Sequence, residues 1–420
     1  MTPKANMHRG GLLRLYLGVS YIFPMIAGRI LRKRLASGKE HPARWPEKQA
    51  QGLAPRPDGP LIWLHAVGLG EVLSLRGLII QMAEKQPDVS FLVTSTTFAS
   101  ADVFTSNLPP RTIHQFLPID APSYRQRFLD HFRPDLCIWA EQDIWPGFVS
   151  DINRRGIPQA VIAARMGEKS FRSHRKAKGL YQNLYQAMDL ITAQDQKTAD
   201  HLGRLGAKAT VTGSLKPAAP ALSHQADALA DLRELLAARF IWAVAPSHAA
   251  DEAIAFDAHA ILRQTDPNAL LIVAPRQPER RKEFAANIPR KSLLQLPQPG
   301  DPIWLCDTFG DLGLVYRLAS AVLIGGTFNE IEGHNPWEAA ALDTAIFNGP
   351  RIGNFVTDYG QLNDAKAAVT VPSAQELADQ LINADFDAQA ERATHCIETA
   401  SHQIDTLATD LLGLLSAAHE

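Results

Sequence analysis

Cysteine is scarce in this chain: Cys137, Cys306 and Cys396 are the only three, they lie far apart, and none forms a CxxC pair. No pair of histidines stands at metal-ligand spacing either, so a disulfide framework and a structural zinc are both disfavoured and a reducing cytoplasm fits. An excess of charge of one sign is missing as well. Lys and Arg number 42 against 44 Asp and Glu, a net charge of −2, which leaves no global electrostatic footprint and argues against a dedicated nucleic-acid binder. Neither a GxGxxG fingerprint nor a GxxxxGKS/T loop occurs, so NAD chemistry and P-loop nucleotide hydrolysis lose ground. There is no GxSxG nucleophile elbow.

What is present describes a folded chain of more than one core. At 420 residues it exceeds what a single hydrophobic core usually serves, and two domains of comparable size are expected. Hydrophobic content of 46% and charged content of 20% are those of a folded protein. The N-terminal stretch 11–31, GLLRLYLGVSYIFPMIAGRIL, is apolar and aromatic. Arg9 and Arg14 stand before or within it, and Arg29, Arg32, Lys33 and Arg34 close it. A spanning helix needs about 20 apolar residues with few charges, and Arg14, Pro24 and Arg29 interrupt this run. Basic residues, not a small-residue cleavage site, follow it. A monotopic anchor in the membrane interface, its cationic ends on anionic headgroups, is the preferred reading over a single span or a buried docking helix.

Beyond a polar, Pro-containing stretch, short apolar runs alternate with helical patterns. Strands are expected at 61–67, 90–95, 113–117, 135–140, 159–163, 190–193 and 210–212, with a helix at 71–84 carrying Val72, Leu75, Ile79 and Met82 on one face. After a Pro- and Ala-rich break at 216–224 the alternation restarts, with strands at 240–245, 270–274, 302–306, 321–324 and 345–347. Strand alternating with helix implies parallel, doubly wound sheets. The chain therefore reads as a membrane-anchoring segment (1–40) and two Rossmann-like α/β domains (41–217 and 218–420), the last helices packing back on the first domain. Ligands in such sheets gather at the carboxyl ends of the strands.

Residues able to carry chemistry cluster at those ends. In the segment 321–350 an apolar run stops at Gly325 and Gly326, and a polar loop leads through His334 and Asn335 into a helix with Glu338 about a turn inside. Glycines would let the backbone approach an anion, the following helix amides would point at it, and Glu338 could accept from a ribose diol. Glu71 follows a glycine turn after His65. It suits either a general base kept ionised by the helix dipole or a plain dipole-complementing carboxylate. Glu141, Gln142 and Asp143 precede Trp145 at another strand end, an arrangement suited to sugar hydroxyls or to a helix cap over a buried Trp. Arg165, Lys169, Arg172, His174, Arg175, Lys176 and Lys178 concentrate positive charge, as a solvated helix face or as a seat for an anionic lipid or phosphate. Lys216, Ser247, His248 and Arg276 stand at equivalent strand ends; Arg276 could hold a phosphate or form a surface ion pair. Asp251 and Glu252 read as ordinary first-turn acids.

Taken in order, these motifs resemble the Kdo (3-deoxy-D-manno-octulosonic acid) transferases, glycosyltransferases of the GT-B class. HAVGLGE stands for the family's HAxSVGE, AEQDIWP for ETELWP, AARMGEKS for NARLSERS and GSLK for GNLK. PSHAADE stands for STHxGEE, PRQPER for PRHPER and GHNPWEAAAL for GGHNPLEPAAL. The resemblance implies two Rossmann-like domains facing a cleft. It also implies an inverting, metal-independent transfer of Kdo from CMP-Kdo to a lipid A precursor at the cytoplasmic face of the inner membrane. It makes Glu71 the general base and places Glu141, Asp143 and Arg165 on the acceptor side. Lys216, Ser247, His248, Arg276, Gly325, Gly326, His334, Asn335 and Glu338 fall on the donor side, with Glu338 on the ribose, and the implied partners are the CMP-sugar, the lipid A precursor and inner-membrane lipids. Six positions depart from the pattern: Gly68, Ala163, Gly167, Ser214, Gln277 and Glu332 replace Ser, Asn, Ser, Asn, His and Gly. Retained catalysis is expected, with the acceptor and the number of sugars added left open.

Overall fold

A computed structural model describes residues 7, 9–141 and 143–419. Among the described residues thirteen strands fall into two parallel sheets, one in each of two units: residues 1–219 with 401–420, and residues 220–400. In the first unit β1 (Leu61–His65), β2 (Ser90–Ser95), β3 (Thr112–Phe116), β4 (Leu136–Ala140), β5 (Gln159–Ala164), β6 (Leu190–Ala193) and β7 (Thr210–Val211) run in the order β3-β2-β1-β4-β5-β6-β7. In the second, β8 (Ile241–Ser247), β9 (Leu270–Pro275), β10 (Ile303–Leu305), β11 (Ala321–Ile324), β12 (Ala345–Asn348) and β13 (Ala368–Thr370) run β10-β9-β8-β11-β12-β13. The central strands are continuous apolar runs because helices cover both faces of a parallel sheet and no side chain reaches water. Along β1, Leu61 and Trp63 enter one core while Ile62 and Leu64 enter the other. Trp242 and Val244 divide in the same way from Ile241 and Ala243 on β8.

Both strand orders reverse direction beside the first strand of the sheet, between β1 and β4 and between β8 and β11. Such a switch point leaves a crevice at the carboxyl ends, because the two flanking connections leave on opposite faces. His65 pairs with Trp139 across the first, and Leu323 with Val244 across the second. β2, β6 and β11 keep the bounds read in the sequence, and those of the other expected strands shift by one or two residues. One strand, β13, at the edge of its sheet, is not among those read in the sequence.

The N-terminal segment forms α1 (Gly11–Val19) and α2 (Phe23–Ala36), joined by a 3-10 turn. Residues 11–36 are long and apolar enough to cross a membrane, the most apolar 18-residue stretch having mean hydropathy 1.3. One side is nevertheless docked on the first unit. Leu13 is fully buried, Asn183 Oδ1 accepts from Gly10 N at 2.9 Å, and Tyr16 donates its hydroxyl to Asp120 Oδ2 at 2.7 Å. The other side leaves Leu15, Tyr21, Met25, Ile26 and Ile30 more than half exposed. A helix α3 (Leu69–Lys85) follows β1 and buries Val72, Leu75, Ile79 and Met82. The last helix, Phe386–His419, sends Ile404, Leu407, Leu411 and Leu415 into the same core as these residues.

Candidate functional site

In the first unit the switch point gathers His65, Glu71 and Asp143. Glu71 is the third residue of α3, where a carboxylate reaches back to the amides ahead of the helix. Its Oε2 accepts from Val67 N at 2.9 Å and from Gly68 N at 3.2 Å. Both bonds use one oxygen, which leaves Oε1 as the oxygen able to take a hydroxyl proton. Gly68, the residue capping α3, has no side chain to return the bond to Glu71 N. His65, buried at the end of β1, sets Nδ1 against Thr94 Oγ1 at 2.9 Å and Nε2 at 3.0 Å from Asp143 Oδ2. Asp143 also accepts the Trp145 indole N–H at 2.8 Å. Burial pushes the Asp143 carboxyl up, but the hydrogen bonds and charge supplied by His65 and the Trp145 bond outweigh it and hold the group below its ordinary range.

Glu141 takes the left-handed conformation with φ 59°, and its amide bonds Ile162 O at 2.9 Å. With Arg165 it lines a small depression that also includes Met166 and His174. Gln142 lies outside the described residues. The basic run continues along the helix Glu168–Lys176, where Arg172 bonds Glu168 at 2.8 Å. Lys216 lies on a 3-10 turn in this unit, seated against α3 where Gly77 has no side chain: a Cβ there would stand 2.0 Å from Ala218 O.

The second unit gathers Ser247, His248, Arg276, His334, Asn335 and Glu338. Here the glycine turn departs from the role expected of it. Gly326 N donates to Asp251 Oδ2 at 2.7 Å and Phe328 N to Asp251 Oδ1 at 3.2 Å. Those amides are therefore occupied within the protein. Gly325 is required because a Cβ there would meet Pro246 O at 1.9 Å, so close contact between the turn and β8, not approach to an anion, explains it. Asp251, read in the sequence as an ordinary first-turn acid, is fully buried and accepts a third bond from His248 N at 3.0 Å. Its place three residues after His248, in a capping position, was the available signal. Glu252 was missed likewise: it accepts from Ser247 Oγ at 2.7 Å and holds Arg280 through two bonds of 2.7 Å. Ser247 is fully buried by this network.

The helix expected after Asn335 is only four residues, Trp337–Ala340, and Glu338 is its second residue. Asp343 at φ 55° turns the chain into β12 before a second turn can form. Asn335 holds both sides of this corner, accepting from Trp337 N at 3.2 Å and donating to Glu338 Oε1 at 3.3 Å. Burial raises the Glu338 carboxyl above its usual range against the Asn335 bond and the Arg276 charge. The His248 and His334 rings meet edge to edge, their planes 10° apart and their Nε2 atoms at 2.8 Å. Burial lowers both, and with the charges of His248 and Arg276 added His334 falls to about 4. Arg276, exposed at the end of β9, thus projects its charge onto both histidines and Glu338.

Glu332, where the resembled family carries glycine, sits at φ 62°. Its carboxylate accepts from Arg351 Nη2 at 2.9 Å and Gly353 N at 3.2 Å, contacts that offset the roughly 1–2 kcal/mol cost of that backbone conformation.

Comparison with known proteins identifies the family. Residues 38–219 match the family described as 3-deoxy-D-manno-octulosonic-acid transferase (kdotransferase). The chain is 32% identical over 378 residues to the 3-deoxy-D-manno-octulosonic acid transferase of Rickettsia bellii, covering 88% of this chain and 90% of that protein. It is 30% identical over 406 residues to that of Bordetella pertussis, covering 88% and 91%. A glycosyltransferase structure from Rickettsia africae superposes with a TM-score of 0.55 at 13% identity, over 85% of this chain and 99% of that one, which speaks to the fold alone. On the strength of the two full-length relatives, this chain is a glycosyltransferase and belongs to the 3-deoxy-D-manno-octulosonic acid transferase family.

Proposed function

We propose that the protein transfers Kdo from CMP-Kdo to a lipid A precursor of the lipid IVA type, with inversion and without a metal. The observation that carries the reading is the fixed Glu71 carboxylate: Oε2 is pinned by two amides, which leaves Oε1 for the acceptor hydroxyl. In the proposed step Glu71 takes the proton of the acceptor hydroxyl, whose oxygen bonds to the anomeric carbon of Kdo. The bond from that carbon to the CMP phosphate oxygen breaks, and its electron pair leaves with CMP. Glu141, Asp143 and Arg165 would orient the acceptor sugar. Arg276 and Lys216 would neutralise the departing phosphate, with His248, His334 and Asn335 beside it and Glu338 on the ribose. α1 and α2 would hold the enzyme at the cytoplasmic face of the inner membrane, lying in the interface with their exposed apolar side in lipid.

The test is CMP release by the purified full-length protein supplied with CMP-Kdo and lipid IVA, with and without a chelator. Glu71→Gln should lower kcat by roughly 100-fold or more, the usual contribution of a positioned base, while the chelator leaves the rate unchanged. Transfer unaltered by Glu71→Gln would remove Glu71 from the chemistry. No CMP release with any lipid acceptor would favour a lipid-binding homologue without transferase activity.

A further inference from the structure

The first unit contains an apolar groove that the proposed chemistry does not use. Its volume is about 540 Å³, within the range of pockets that enclose small organic ligands. One wall is α2, through Phe23, Ile26, Ala27 and Ile30; the opposite wall is Leu117, Pro118, Ile119 and Trp145. From Phe23 to Arg34 the helix runs about 16 Å at the usual rise per residue. Leaving such a surface uncovered forgoes burial on both walls, and Ile26 and Ile30 are each 52% exposed.

Two features decide what would fill it. At the C-terminal end of α2 the lining turns ionic: Glu40 is held between Arg34 Nε at 2.5 Å and Lys48 Nζ. Lys48 also donates to Thr96 O at 2.9 Å. One carboxylate between two cations leaves a net positive charge at that end, complementary to a phosphorylated headgroup. The second feature is Trp145. It lines the groove while its indole N–H bonds Asp143, so the apolar wall is continuous with the carboxylate proposed to orient the acceptor.

We infer that this groove takes an acyl chain of the phosphorylated glycolipid acceptor, with the headgroup drawn to the Arg34, Glu40 and Lys48 end and the sugar brought to Asp143. The inference rests on the lipid-acceptor reading given above. It assigns α2 a part in substrate selection as well as in anchoring: an acylated acceptor is favoured over the bare sugar because its chain is bound by the enzyme itself.

Two measurements on the full-length protein in detergent micelles test it. The first compares transfer to lipid IVA with transfer to its fully deacylated form. Ile30→Asp, at a half-exposed position that the fold tolerates, should raise KM for lipid IVA at least about tenfold. It should leave kcat/KM for the deacylated acceptor and KM for CMP-Kdo unchanged. Ala27→Trp, which fills the groove, should act in the same direction. An equal effect on both acceptors would overturn the inference. The second measurement is independent of turnover: lipid IVA with brominated acyl chains should quench a part of the tryptophan emission that Trp145→Phe lacks, and Ile30→Asp should abolish that quenching. Equal quenching by a brominated phosphatidylethanolamine would make the groove a general membrane-lipid seat, and no Trp145-dependent quenching would empty it; either result overturns the inference. Loss of all transfer by the unmodified protein, with the quenching intact, would instead count against the transferase reading and leave the groove standing.

Discussion

His248 and His334 approach through their Nε2 atoms at 2.8 Å, so one ring must hold the proton the other accepts. Burial disfavours a charge on either ring, and the charges of His248 and Arg276 on His334, and of Arg280 and Arg276 on His248, add to it, while Asp251 and Glu252 only partly compensate at His248. Both rings therefore bind protons less readily in the folded protein than in the unfolded chain.

A folded-state pKa below the unfolded value contributes stability above about pH 6.5. That contribution is lost as the pH falls toward the folded value, about 4 for His334. The loss is at most about 1.4 kcal/mol per pH unit for each ring. His114 and His259, lowered to about 3 and about 4 by burial, contribute with the same sign, so the measurement must be a difference. The stability gap between the unmodified protein and His334→Asn, from urea unfolding, should shrink between pH 6.5 and 4. A gap independent of pH would mean that His334 binds protons as readily in the folded protein as in the unfolded chain.

Asp251 holds the glycine turn shut by accepting from His248, Gly326 and Phe328 amides. Asp251→Ala strands these donors in a fully buried place, and each unpaired group costs about 1–3 kcal/mol. Because the groups can share solvent once the turn loosens, a total of about 3 kcal/mol is expected. Asp251→Asn keeps one carbonyl acceptor and should cost less. Unfolding midpoints should rank the unmodified protein above Asn and Asn above Ala, with CMP affinity falling in the same order. Equal losses for Asn and Ala would show that the carboxylate, not its geometry, matters.

The parallel sheets were legible because buried strands announce themselves as apolar runs: β6 and β11 have the bounds their runs imply. Gly325 and Gly326 were legible as a turn but not in purpose, since the atoms they admit, Pro246 O and the Asp251 carboxylate, come from another strand connection. His65 shows the same limit. As a strand-end histidine it had no partner in sequence, and only the β1–β4 adjacency brings Asp143, 78 residues away, to its Nε2. Local spacing reports what a residue does to its own helix or strand, and the contacts that make a site are mostly between connections.

Gly68 tests that local logic directly. It caps α3 with φ −87° and ψ 163°, a conformation serine adopts readily, and a Cβ there meets nothing nearer than Glu71 Oε1 at 3.7 Å. Gly68→Ser would complete a reciprocal capping box with Glu71. Because glycine is itself a fair N-cap, the gain should be small, about 0.5 kcal/mol. It would appear as a higher urea midpoint with an unchanged slope. A destabilised Gly68→Ser would show that the added side chain disturbs the Val67 and Gly68 amides that fix Glu71.

The His65–Asp143 pair yields a prediction separable from overall stability. Burial alone would raise the Asp143 carboxyl, and the His65 bond and charge are the largest influences opposing it. In His65→Phe, with a ring of similar bulk and no donor, the Asp143 carboxylate should titrate at higher pH than in the unmodified protein, read from its carboxyl carbon by NMR. The stability that the ionised carboxylate contributes is lost as pH falls through its folded pKa, so His65→Phe should move that loss upward in pH. If Asp143 orients the acceptor as proposed, transfer should weaken through a raised acceptor KM more than through kcat, since His65 would act only by holding Asp143. An Asp143 titration unmoved by His65→Phe would show that the Trp145 indole alone keeps the carboxylate ionised.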